Sequence, residues 1–225
     1  MKNAENIPFA ALFDMDGLLV DSEQVQSDAY GVVMEQCYGL TPHVTEHGTV
    51  HTPGEKTPDT WRRLMAAHNF DGDIDELSAH KRQAAINILR QGIKAMPGVA
   101  ELFAILHEHE IPIAISTSAK QDRATLIIDM LGESIDALIT ADDIERVKPA
   151  PDAYIAAATK IGISTDRCIV FEDAEVGVIS GKSAGCKVVA VPNRFTQRMN
   201  FECADVVIKS LHEITFDQLV ELASS

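Results

Sequence analysis

The chain has 225 residues, 46% of them hydrophobic, enough for one large domain or a domain with an insert around a substantial core. Its 34 acidic and 19 basic side chains leave a formal charge of -15, which argues against nucleic acid or an anionic membrane surface as a partner. An anionic substrate would have to be met by local positive charge. Of the four cysteines, Cys37, Cys168, Cys186 and Cys203, none forms a C-x-x-C pair or a zinc spacing. Cys168 and Cys186 open apolar runs and read as buried free thiols, which fits a reducing cytoplasm. No signal peptide precedes the first strand, and no apolar run approaches membrane-spanning length.

In chain order, Phe9-Ala10-Ala11-Leu12-Phe13 is a short apolar run bounded by Pro8 and Gly17, read as a buried parallel strand that ends in Asp14 and Asp16. A helix is predicted from about 22 to 36, with Val25, Ala29, Val32, Val33 and Gln36 on one face. The stretch from Leu40 to Pro58 is broken by Pro42, Gly48, Pro53 and Gly54. Thr57-Pro58 then reads as an N-cap and a first-turn proline, opening a helix that carries Trp61, Leu64, Met65 and His68. After the Asp71-Gly72 turn, a third helix runs to about Arg90 with Leu77, Ala84, Ala85 and Ile88 inward. Residues from about 20 to 92 therefore hold helices and no strand.

From Met96-Pro97-Gly98 onward the pattern alternates. A helix carries Val99, Leu102, Phe103 and Leu106, and a strand over 111–116 ends in Thr117 and Ser118. Further helices are expected at about 121–131, 152–161 and 174–184, and further strands at 135–139, 168–171, 187–191 and 206–208. Thr215, with Gln218 three residues on, reads as a capping box opening the last helix. Alternating strands and helices predict an α/β fold with a doubly wound parallel sheet. The sheet domain comprises residues 1–18 and 95–225, and a helical domain of residues 19–94 is inserted after the first strand.

Four strand ends then present polar groups: Asp14 and Asp16, Thr117 and Ser118, Lys148 just past its strand, and Glu172 with Asp173. Singly each has an ordinary reading, such as an Asp-Gly turn, a turn-capping Thr, a solvated Lys or an acidic helix N-terminus. Together they crowd carboxylates, one cation and a hydroxyl at the edge where open α/β sheets bind ligands. Crowded carboxylates call for a divalent cation, and an all-oxygen donor set favours Mg²⁺ over zinc.

Phe13-Asp14-Met15-Asp16-Gly17, Ile115-Ser116-Thr117-Ser118, Val147-Lys148-Pro149-Ala150-Pro151-Asp152 and Phe171-Glu172-Asp173-Ala174-Glu175-Val176-Gly177 closely resemble, in order and spacing, the motifs of the haloacid dehalogenase superfamily of phosphohydrolases and phosphomutases. Leu18 is a mild departure, at a position where Thr or Val is more usual. The helical insert resembles the cap of the branch that includes β-phosphoglucomutase and many small-sugar phosphatases. The resemblance implies Asp14 as nucleophile and Asp16 as general acid and base. It implies Mg²⁺ held by Asp14, the Asp16 carbonyl and Asp173, with Glu172 acting through water. Lys148, Thr117 and Ser118 would meet the phosphoryl group, and the substrate would be a small phosphorylated metabolite handled by a monomeric, cytoplasmic enzyme.

Four rivals are weighed, among them a non-catalytic binding protein, which would have no need to keep every catalytic group. A signalling receiver domain places its acidic pair before the phosphorylated Asp, whereas Glu172-Asp173 comes long after Asp14. A hydrolytic dehalogenase lacks the second aspartate and the metal-binding acids. A phosphomutase is the nearest rival, but Gln26 stands where the mutase branch has a proton-handling His, which favours hydrolysis. His51, Glu55 and Lys56, in the irregular stretch around Gly54, are candidate contacts to the leaving group, against the plainer reading of a solvated connector.

Overall fold

The computed structural model describes residues 9–45, 48–52 and 55–225. The chain divides into two compact units, one of residues 1–20 and 95–225 and the other of residues 21–94.

The larger unit is built on a parallel sheet of six strands: β1 (Ala10–Phe13), β2 (Ile113–Ser116), β3 (Ala137–Ile139), β4 (Cys168–Glu172), β5 (Lys187–Ala190) and β6 (Val206–Val207). They lie in the order β3-β2-β1-β4-β5-β6, all parallel. Every residue of β1 is buried, because a central strand of such a sheet is covered on both faces. On one face, Ala10 and Leu12 pack with Tyr154, Ala157 and Ala158 of α6 (Asp152–Ile161) and Val178 of α7 (Glu175–Ser183). On the other face, Phe13 meets Phe103 of α4 (Val99–Glu108), and Phe9 meets Phe216 of α8 (Phe216–Ser224). Phe13 and its register partner Phe171 stack at 4.6 Å, so the strands that end in Asp14 and Glu172 are tied side by side.

Element boundaries follow local chemistry. α4 buries all four residues expected of it, Val99, Leu102, Phe103 and Leu106. α5 (Gln121–Leu131) and α6 span the expected ranges. α8 begins in a full capping box between Thr215 and Gln218. β2 starts two residues later than expected: Ile111 is still hydrogen-bonded to Leu106 of the preceding helix, and Pro112 has no N–H to give a ladder.

The smaller unit contains α1 (Glu23–Tyr38), α2 (Thr57–His68) and α3 (Ile74–Leu89), and no strand among its described residues. Tyr30 packs edge-on against Trp61 at 4.9 Å, beside buried Val33, Met34, Leu64, Leu77 and Leu89. The inward face of α1 differs from the expected one. Ser27, Tyr30 and Met34 are buried while Val32 and Gln36 are not, because the Ser27 hydroxyl accepts the Val50 N–H and Tyr30 docks on Trp61. Likewise α3 buries Lys81 and Leu89 rather than Ile88. α2 opens one residue early, with Lys56 at its N-cap and Pro58 in the first turn. No helix of the described residues is long and apolar enough to cross a membrane.

Phe13→Ala should cost about 3–5 kcal/mol by urea denaturation, since it opens a cavity between two aromatic neighbours under the central strand. A loss below about 1 kcal/mol would show that the Phe13 site can collapse and does not anchor the sheet.

Candidate functional site

The chain winds from β1 to β2 in one direction and reaches β4 on the other side of β1, so the strand order reverses between β1 and β4. At such a switch point the crevice beyond the strand ends is open to a ligand. β1 delivers Asp14 there and β4 delivers Glu172 and Asp173. The Asp14 N–H donates to the Phe171 carbonyl at 3.0 Å, holding the two ends level. β2 contributes Ser116 and Thr117, and the loop before α6 contributes Lys148.

Lys148 Nζ lies at the centre. It donates to Asp14 Oδ1 at 2.5 Å, Glu172 Oε1 at 2.6 Å, the Ser116 carbonyl at 3.1 Å and the Tyr154 hydroxyl at 3.0 Å. Tyr154 in turn donates its O–H to Glu172 Oε1 at 2.6 Å, and its phenol is pushed well up by burial and by the acids beside it. Burial also drives the Asp14 carboxyl up to about 7, with Lys148 opposing and Glu172 and Asp16 adding to the rise. For Lys148, burial works downward, but Asp14 and Glu172 outweigh it and hold the ammonium above its ordinary value. The Asp14 shift reflects chiefly its burial, and the Lys148 shift the two carboxylates it serves. Asp14, Glu172 and Asp173 each offer a carboxylate oxygen, all within 4.8 Å of one another. An all-oxygen donor set short of positive charge fits a hard divalent cation.

Two glycines make the approach possible. Gly17 has φ +84°, and a Cβ there would come within 2.5 Å of an Asp173 oxygen. A Cβ on Gly177 would lie 1.9 Å from the Glu172 carboxylate. Asn193 Nδ2 bridges the same corner, donating to the Gly17 carbonyl at 3.0 Å and to Asp173 Oδ2 at 2.7 Å.

Asp16 stands apart from Asp14's partners. Its carboxylate is gripped by Arg123 of α5, and the Thr117 hydroxyl donates to it at 3.4 Å. Thr117 Oγ1 also accepts the Ala119 N–H at 3.0 Å, and the neighbouring Ser118 is exposed. The structure thus brings Asp14, Asp16, Thr117, Lys148, Glu172 and Asp173 into one constellation. Sequence reasoning missed Arg123, Tyr154 and Asn193. Asn193 follows the end of β5 closely and was within reach of the same strand-end rule. Arg123 and Tyr154 lie within helices and carried no such signal.

Within the helical unit, His51 is buried and its Nε2 lies 2.7 Å from Glu23 Oε2. Lys81 donates to Gln26 Oε1 and lies over the Tyr30 ring at 4.8 Å; that ring is 5.9 Å from His51. His51 Nδ1 and Gln26 Nε2 are buried without a hydrogen-bond partner among the described residues. Glu55 is held by Arg63 at 2.8 and 3.1 Å, and its carboxyl is lowered to about 2 chiefly by that hydrogen bond. Lys56 is exposed. The close approach expected at Gly54 falls outside the described residues.

Comparison with known proteins gives this geometry its family. Residues 11–191 match the haloacid dehalogenase-like hydrolase family. The chain is 34% identical over 206 residues to hexitol phosphatase A of Escherichia coli K12, covering 91% of this chain and 92% of that protein. It is 30% identical over 217 residues to validoxylamine A 7'-phosphate phosphatase of Streptomyces hygroscopicus subsp. limoneus, covering 93% and 97%. Its fold is similar to that of β-phosphoglucomutase from Clostridium difficile, with a TM-score of 0.77 at 21% identity over 96% of each chain. The chain therefore belongs to the haloacid dehalogenase-like hydrolases, and it is a hydrolase acting on phosphate esters.

Proposed function

We propose that this protein is a Mg²⁺-dependent phosphatase that hydrolyses a small phosphomonoester, a phosphosugar or sugar-alcohol phosphate, through an aspartyl-phosphate on Asp14. It would work as a monomer in the cytoplasm. The observation that carries the reading is the buried Asp14 carboxylate held at a strand end by Lys148 beside Glu172 and Asp173. The phosphatase relatives support the reaction class, and the name of hexitol phosphatase A points to a sugar-alcohol leaving group.

In this reading an Asp14 oxygen bonds to phosphorus as the ester P–O bond breaks, and Asp16 gives a proton to the departing oxygen to release the alcohol. Water then attacks the same phosphorus, Asp16 takes its proton, and the Asp14 O–P bond breaks. Inorganic phosphate leaves and both carboxyl groups are restored. Lys148 fixes Asp14 and adds positive charge where the phosphoryl group develops negative charge. Thr117 and Ser118 donate to phosphate oxygens. Mg²⁺, held by Asp14, Asp173 and the Asp16 carbonyl with Glu172 beside them, would supply the charge that lets a carboxylate approach a phosphate dianion. Gln26, His51, Glu55 and Lys56 are proposed to select the leaving group. The unpartnered Gln26 Nε2 and His51 Nδ1 support the first two most directly. Hydrolysis is favoured over phosphomutase chemistry because Gln26, whose oxygen already accepts from Lys81, cannot carry a proton near neutral pH.

Asp14→Asn should lower kcat by roughly 10³-fold or more while Tm holds or rises, because the amide cannot form the acyl phosphate and one charge leaves a crowded acidic cluster. Comparable turnover in the purified variant would remove Asp14 as nucleophile. Activity should be lost on chelation, return with Mg²⁺ and be suppressed by Ca²⁺, whose larger coordination number lets it take both Asp14 oxygens; calorimetric titration of Mg²⁺ into Asp173→Asn should show weakened binding. Full activity after exhaustive chelation would sink the metal assignment. Given β-glucose 1-phosphate, the enzyme should release phosphate rather than make glucose 6-phosphate. Rapid isomerisation with negligible phosphate release would reverse that choice.

A further inference from the structure

Arg123, in the first turn of α5, makes a two-pronged contact with Asp16: Nη1 lies 2.9 Å from Oδ1, and Nη2 lies 2.5 Å from Oδ2. The guanidinium side chain is 16% exposed and the Asp16 side chain 22%, so the pair is shielded from water far more than a surface ion pair. Its partner's backbone is already fixed. The Gly17 N–H donates to the Val20 carbonyl at 2.9 Å, and the Leu19 and Val20 N–H groups donate to the Met15 carbonyl at 3.0 and 3.2 Å. Arg123 engages both oxygens of the side chain that this loop carries, and the Thr117 hydroxyl reaches Oδ2 at 3.4 Å.

We propose that Arg123 is a positioning residue for Asp16, a role that rests on the phosphatase reading above. A planar guanidinium engaging both oxygens sets the plane of the carboxyl group as well as its place, which a point charge cannot do. Proton transfer to a leaving oxygen depends on that orientation. A carboxyl group that hands over its proton uses one oxygen, and the other stays on the guanidinium, so the contact orients Asp16 before and after transfer. Among the described residues, Arg123 makes no hydrogen bond to Asp14 or to its partners Lys148 and Glu172, which separates its part from the nucleophile's.

The test uses two substrates that differ only in the leaving group. p-Nitrophenolate departs without a proton, whereas phenolate from phenyl phosphate is helped by one. In Arg123→Ala, kcat/KM for phenyl phosphate should fall about 10- to 100-fold and that for p-nitrophenyl phosphate less than about threefold, since misorienting the acid forfeits part of the roughly 10²–10⁴-fold that general-acid assistance supplies. Mg²⁺ affinity by calorimetry should stay near wild type, and Tm should stay well above the assay temperature. Arg123→Lys, which keeps the charge and loses the fork, should recover only part of the loss. Equal falls on both substrates, no fall on either, or full recovery in Arg123→Lys would each overturn the assignment. Asp16→Asn is measured alongside. Leaving-group discrimination there but not in Arg123→Ala overturns the role of Arg123 alone. Its absence in both removes the acid role of Asp16, and wild-type inactivity on both probes counts against the phosphatase reading itself.

Discussion

A single ammonium serves two buried carboxylates here. Lys148 Nζ sits 2.5 Å from Asp14 and 2.6 Å from Glu172, with the lysine side chain 6% exposed. Removing the lysine would strand both carboxylates out of solvent, a loss that typically costs about 3–5 kcal/mol. The architecture follows from satisfying it. β1 and β4 must end level to present both acids, β2 must supply the Ser116 carbonyl, and α6 must supply Tyr154. A parallel sheet does this economically, since every strand delivers its carboxyl end to the same edge.

Even so, the ammonium does not neutralise the cluster. Asp173 adds a third acid, steadied by Asn193 and admitted by the absence of a side chain at Gly17. Asp16 would be a fourth charge in the same crevice, and Arg123 draws it to a separate partner. The two aspartates of one short segment therefore sit in different electrostatic surroundings, one against a lysine in a crowd of acids and the other in the fork of an arginine. Different surroundings are what allow like residues to take different chemical parts.

Much of this was legible in the sequence because the signals were local. β1 is an apolar run closed by polar residues, α4 has clean helical spacing, and Thr215 with Gln218 announces the start of α8. The strand-end rule also collected Asp14, Thr117, Lys148, Glu172 and Asp173 before any contact was known. What escaped depends on pairings across long stretches of chain. Arg123 meets Asp16 across 107 positions, and as one charge on a polar helical turn it looked like any solvated arginine. In the helical unit, periodicity chose apolar Val32 over Ser27, yet Ser27 is buried because Val50 brings it a donor. Lys81 is buried because Gln26 and the Tyr30 ring receive it. Spacing reports which face is greasy, and it cannot report which polar groups find partners inside.

Gly177 carries a consequence for how inherited changes in this chain would behave. It lies in α7, where most small side chains would be tolerated, yet a methyl group there would fall on the Glu172 carboxylate. Every missense change at a glycine adds at least that methyl. The displaced acid would lose its place beside Lys148 and Tyr154, while the hydrophobic faces of the sheet stay filled. A natural variant at position 177 would therefore act as a lesion of the acid cluster, although the altered residue lies outside it.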